Sequence, residues 1–187
     1  MTHRIYVKST RLRDWDYTAA SSYFVTICTL QRTPVLGEVV NGEMQLSLAG
    51  RVVSGEWLQA QDVRANVASD EFMVMPNHVH GIVVIEEPRA ATPRSEPHRV
   101  LIYTATPHGH ASRPRLHASS LGLIMGQFKS ISTKRIWTSG FRDFAWQPRS
   151  YDHIIRSEAS LDTIRRYIRD NPMKWALDKD NPKGLRM

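Results

Sequence analysis

The chain predicts an α+β fold: a ferredoxin-like (RRM-like) antiparallel sheet with helices on one face, plus an added hairpin and a C-terminal helix. Three observations predict it. Two stretches of β-branched and aromatic residues flank a helical pattern. A tight turn, Pro76-Asn77, joins two more apolar runs. A second helical pattern then leads into a last short strand, so that the order strand, helix, strand, strand, helix, strand results.

Taken in order, residues 1–20 form a basic arm in which Arg4, Lys8, Arg11 and Arg13 alternate with Tyr6, Trp15 and Tyr17, a composition suited to lying along a nucleic-acid strand. Tyr23 to Leu30 is β-branched and aromatic throughout, which predicts a central strand buried on both faces. Asn41-Gly42 between Val39-Val40 and Met44-Gln45-Leu46 is the signature of a type I′ hairpin. Ser47 caps a helix from Leu48 to about Val63, with Leu48, Val52, Val53, Trp57 and Leu58 as its apolar stripe. Gly50 and Gly55 either weaken it or mark close packing. Residues 86–118, with five prolines and little periodicity, read as a linker or insertion. From Ser119, the residues Leu121, Ile124, Met125, Phe128, Ile131 and Ile136 define a second amphipathic helix with Lys129, Lys134 and Arg135 on its polar side. Ser150 to Arg156 forms a fourth strand, and Ser157 caps a final helix that Asn171-Pro172 ends. Leu161, Ile164 and Ile168 are its core stripe.

With 187 residues, 41% of them hydrophobic, the chain fills one domain, 1–187. The net charge of +7 and a pI near 9.9 favour phosphate-rich partners, nucleic acid first. A single cysteine, Cys28, excludes an intrachain disulfide or a Cys-x-x-Cys metal site. No run approaches a membrane span and the N-terminus lacks a signal-peptide core, so the expected place is the cytoplasm, associated with the nucleoid.

The costliest feature to bury is His78-Val79-His80 at the mouth of an apolar strand. Alternation along the strand points both imidazoles the same way, where they can share one divalent metal, Mg²⁺ or Mn²⁺. His108-Gly109-His110 repeats the spacing without a strand to hold the rings, so it serves as an internal control and is not expected to bind metal. A phenol attacks a phosphodiester poorly unless a nearby cation polarises the phosphate. Tyr167 lies one helical turn before Asn171, whose carbonyl oxygen can add a third ligand to the histidine pair.

Met75-Pro76-Asn77-His78-Val79-His80, the stretch from Trp146 to Arg156 and the segment from Tyr167 to Pro172 together resemble the HUH single-tyrosine transposases of insertion sequences, and within them the REP-associated tyrosine transposases. The likeness spans about residues 20–175. It implies a metal-dependent enzyme of DNA transposition and recombination that nicks single-stranded DNA beside a palindromic hairpin, forms a 5′-phosphotyrosine and rejoins ends. The implied roles are His78, His80 and Asn171 as metal ligands and Tyr167 as the catalytic nucleophile on a C-terminal catalytic helix. Tyr151 is the rival nucleophile, read as packing or DNA stacking. Lys129, Arg149, Arg165 and Arg169 are candidate DNA contacts. Relatives act as homodimers that exchange the tyrosine helix or as monomers, and both remain open. Two other readings compete: a domesticated protein that grips hairpin DNA or RNA without cutting, and a phosphoester hydrolase, for which His153 is the only further histidine at hand. The long 86–118 stretch departs from the family pattern.

Overall fold

The computed structural model describes residues 12, 14–60, 63–87, 120–178 and 181. The linker from Pro88 onward, with His108 and His110, and most of the basic arm, with Arg4, Lys8, Arg11 and Arg13, lie outside the described residues. The elements are β1 (Ser21–Cys28), β2 (Gly37–Val40), β3 (Glu43–Leu46), α1 (Leu48–Gln59), β4 (Val67–Met75), β5 (His78–Ile85), α2 (Leu121–Thr138), β6 (Tyr151–Ile155) and α3 (Glu158–Lys174). The four-stranded antiparallel sheet has the order β4-β5-β1-β6, the ferredoxin-like arrangement, and β2-β3 forms a separate hairpin. Among the described residues, no helix is long and apolar enough to cross a membrane.

Local chemistry explains the boundaries. Ser47, Ser120 and Ser157 each accept a hydrogen bond from the backbone N–H three residues on, starting α1, α2 and α3. Asn41 and Gly42 adopt φ of 52° and 79°, the left-handed pair that a type I′ turn requires. Gly50 marks close packing, since a Cβ there would sit 2.0 Å from the Leu36 carbonyl oxygen. Gly55 has open space around it. Gly81 leaves the gap in which the Trp57 indole rests on the sheet, 2.2 Å from where a Cβ would be, and Trp57 Nε1 donates to Ser69 Oγ at 2.8 Å.

The two sheet faces bury different sets. Tyr23, Val25, Ile27, Val79, Val83 and Ile154 pack under α1 and α2 against Val53, Trp57, Ile124, Phe128 and Ile136. On the opposite face α3 lays Ile168, with Leu161 and Ile164, over Ile82, Ile155, Phe24 and Met73. Each fully buried aliphatic or aromatic side chain contributes about 1.5–3 kcal/mol, so the larger α1/α2 face carries most of the stability.

Several expectations are corrected. Trp15 and Tyr17 do not extend toward a ligand. They pack on the core, with Trp15 Nε1 bonded to the Tyr23 hydroxyl at 3.2 Å and the Tyr17 and Tyr23 rings stacked at 5.8 Å. β1 is buried fully on the side of Tyr23, Val25 and Ile27 and only in part on the other, where Cys28 is buried but Phe24 and Thr26 keep some exposure beneath α3. α1 ends at Gln59, and its buried side is turned toward Ala49, Gly50 and Glu56, leaving Leu48 and Leu58 exposed. α3 runs through Pro172 to Lys174: the proline forfeits a single backbone bond, while its carbonyl accepts from Trp175 N–H and closes the last turn.

Candidate active site

The Pro76-Asn77 turn brings β5 back along β4 and starts the site. Asn77 is fully buried and held at both ends. Its backbone carbonyl accepts from Thr29 N–H at 2.9 Å and Thr29 Oγ1 at 3.0 Å, and its Nδ2 donates to the Arg32 carbonyl at 3.0 Å. That carbonyl is presented by a turn in which Gln31 and Arg32 both take left-handed backbone, φ 54° and 55°. With Nδ2 so engaged, Asn77 Oδ1 faces His78 Nδ1 at 2.8 Å and can only accept. His78 therefore carries its proton on Nδ1 and turns a bare Nε2 lone pair into the site.

Antiparallel register sets Thr26 beside His80, and Thr26 Oγ1 meets His80 Nδ1 at 2.9 Å. The two Nε2 atoms of His78 and His80 are then 2.9 Å apart. Burial, with a lesser push from the Arg32 charge, holds the His78 pKa down to about 3, so at neutral pH it is an uncharged nitrogen donor.

From the other side α3 supplies Tyr167. Its hydroxyl lies 3.3 Å from His80 Nε2, its ring 5.2 Å from the His80 ring and edge-on to Phe24 at 6.0 Å, while 43% of the residue stays exposed. Burial raises the phenol pKa, with the Asp178 carboxylate adding to it and the Asn171 amide opposing, so the phenol is protonated at neutral pH. Asn171, one turn later, is 2% exposed, and its Oδ1 has no hydrogen-bond partner among the described residues. Trp175, just beyond α3, tilts over His78 at 6.0 Å between ring centres.

The structure thus brings His78, His80 and Tyr167 together, and the Asn171 amide meets the Tyr167 phenol from one turn further along α3. The donor set suits a divalent cation: the Nε2 atoms of His78 and His80 face one another at 2.9 Å, the His78 ring uncharged, and Asn171 offers a buried amide oxygen that has no hydrogen-bond partner among the described residues. No group of three or more His, Cys, Asp or Glu converges among the described residues. Tyr151 stands apart. It faces Thr26 from β6, on the side of β1 away from His80, with its ring edge against Phe24 at 6.4 Å and 48% exposed.

The four candidate DNA contacts do not behave alike. Lys129 Nζ is part-buried and donates to the carbonyls of Gln147 at 2.6 Å and Arg149 at 3.2 Å, so it pins the chain entering β6. Burial lowers its pKa. Arg165 binds Asp70 and Asp162, and Arg169 binds Glu71. Arg149 is exposed and makes no ion pair among the described residues, which leaves it available to a phosphate. Sequence reasoning missed Asn77, read as a turn residue, and Thr26, read as strand core. For Thr26 a signal existed, since strand alternation and pairing put it on the histidine face.

Against solved structures, the REP-associated tyrosine transposase bound to a REP hairpin superposes over 89% of this chain and 74% of that one, with a TM-score of 0.55 and 17% identity. The fold is that of the REP-associated tyrosine transposases, as the resemblance in the sequence implied. A protein of Haemophilus influenzae, described as uncharacterized, is 32% identical over 173 residues, 92% of this chain and 91% of that protein. The chain belongs to the same family as that Haemophilus protein. No family model matches.

Proposed function

We propose that the protein is a metal-dependent tyrosine strand transferase, a DNA transposase that nicks and rejoins single-stranded DNA beside a palindromic hairpin. The observation that carries this reading is the meeting of a half-exposed phenol on α3 with the facing Nε2 atoms of His78 and His80 on β5, with the unpartnered amide oxygen of Asn171 one turn further along α3. A purely structural site has no use for such a set. The net charge of +7 and the exposed Arg149 suit a polyanion, and the REP hairpin held by the solved neighbour supports hairpin DNA as the ligand class.

His78, His80 and Asn171 would hold Mg²⁺ or Mn²⁺, which when bound supplies the charge that polarises the phosphate and stabilises its transition state. Asn77 and Thr26 orient the two imidazoles from behind. Tyr167 is held on the rim by His80 and Phe24, with its hydroxyl beside His80 Nε2. Its oxygen bonds to phosphorus as the bond from phosphorus to the 3′-oxygen breaks; the phenolic proton passes to water and the leaving 3′-oxygen takes one from water as a hydroxyl, giving a 5′-phosphotyrosine. The reverse attack by another 3′-hydroxyl rejoins the ends.

The test is incubation with single-stranded hairpin oligonucleotides and Mn²⁺, followed by a denaturing gel. A covalent protein–DNA band that needs the metal supports the reading. Tight hairpin binding with no such band refutes cleavage and leaves a hairpin-binding protein instead.

A further inference from the structure

We infer that Asp70 and Glu71 are positioning residues that clamp α3 and so set where Tyr167 meets the histidine pair. The inference rests on Tyr167 being the reacting group. The β4–β5 register slips between Ser69 and Phe72, so Asp70 and Glu71 occupy a bulge. In a regular strand two consecutive side chains point to opposite faces. The bulge turns the strand, and here both carboxylates reach the same helix. Asp70 takes a two-pronged bond from Arg165, with Nε 3.0 Å from Oδ1 and Nη2 2.5 Å from Oδ2, and Glu71 Oε1 accepts from Arg169 Nη1 at 2.8 Å. Asp162, one turn back on α3, braces the same guanidinium at 3.0 Å, and Glu71 N–H fixes Asp70 Oδ1 at 2.7 Å.

The two arginines stand one turn apart in a row, two residues before and two after Tyr167. Two residues are about 200° of helical rotation, so the phenol lies on nearly the opposite side of α3 from that row. Holding the row against β4 fixes the rotation of the helix about its axis and swings Tyr167 over β5 and β1, where His80 and Phe24 lie. The apolar seam beneath α3 is short, Leu161, Ile164 and Ile168, and dispersion contacts are not directional. The bidentate ion pair is directional. Arg165 also keeps the Asp70 carboxyl below the usual carboxylate range, so the pair stays charged at neutral pH. Arg165 and Arg169 thus serve the helix.

The test pairs Asp70→Asn with Glu71→Gln, which removes both charges and keeps the shapes. Three quantities are read in the full chain: single-turnover adduct formation on a hairpin oligonucleotide with Mn²⁺, affinity for that oligonucleotide, and the ¹⁹F resonance of 3-fluorotyrosine incorporated at position 167. The ring currents of His80 and Phe24 shift that resonance when the ring is docked. The double variant should form adduct about 100-fold more slowly, the cost of roughly 1 Å of misplacement, with hairpin affinity unchanged and the resonance moved toward that of a free ring. Exchanging the charges, Asp70→Arg with Arg165→Asp, should recover both signals. An unmoved resonance in the double variant, a loss of affinity equal to the loss of rate, or no recovery on charge exchange would overturn the clamp. The fluorine signal does not depend on cleavage. If Tyr167→Phe still forms adduct, the assigned nucleophile is wrong while the resonance continues to decide the clamp.

Discussion

Under α1 and α2 the sheet buries Tyr23, Val25, Val79 and Val83 against Val53, Trp57 and Phe128, while under α3 it buries a few aliphatics beside His78, His80 and Asn171. The same strands make both faces, and alternate residues of β5 serve one or the other. The first face is fastened by close packing, which is non-directional and sums over many contacts. The second is fastened by hydrogen bonds and ion pairs that fix the angle and reach of a few groups. The difference teaches where stability and chemistry are kept: substitutions under α1 and α2 should change how firmly the chain folds, and those under α3 what the folded chain can do.

The sharpest break between the faces is expected from Phe128→Ala. It deletes a ring set edge-on against Trp57 at 5.3 Å and should lower unfolding stability by about 3–5 kcal/mol in urea titrations, while adduct formation persists wherever the variant is folded. Next comes the metal. Mn²⁺ at 100 times its dissociation constant should stabilise the wild type by about 2.7 kcal/mol, read as a rise in thermal midpoint, and His78→Ala should lose that rise. His108→Ala, outside the described residues, should keep it. Equal loss in both would break the assignment.

The third expectation turns on pH. The folded chain holds His78 near 3, whereas the unfolded chain takes up that proton near its ordinary 6.5. The unfolded state therefore binds more protons between these values, and metal-free stability should fall as pH drops, by about 1.6 kcal/mol between pH 6.5 and 5. His78→Gln should flatten that slope in urea titrations across the same range. The smallest effect is at Arg149: Arg149→Ala should weaken hairpin binding uniformly and lower the salt dependence of affinity by about one phosphate contact. An unchanged salt slope would remove Arg149 from the DNA surface.

Much of this was legible from residue patterns with short-range causes. The period of two put His78 and His80 on one side of a strand, Asn41-Gly42 named its turn, and Ser47 and Ser157 named two helix starts. The spacing from Tyr167 to Asn171 put them one turn apart. What stayed hidden depends on tertiary docking. Arg165 looked like a phosphate contact because one of its two carboxylate partners, Asp70, is 95 residues away, on a bulge that the residues of β4 do not announce. Asn77 looked like a turn residue because nothing local says that its amide is buried between Arg32 and His78. Pro172 looked like a helix end, yet it falls where only one backbone bond is lost.

Tyr167 and Tyr151 are the two exposed phenols that flank Phe24, one beside the histidines and one across β1 from them. The most direct measurement is tandem mass spectrometry of the covalent product formed with a single-stranded hairpin oligonucleotide and Mn²⁺, to locate the nucleotide-bearing residue. The expected result is a 5′-phosphodiester on Tyr167, with the adduct absent in Tyr167→Phe and retained in Tyr151→Phe. A nucleotide on Tyr151, with the adduct surviving Tyr167→Phe, would contradict the assignment and move the nucleophile from α3 to β6.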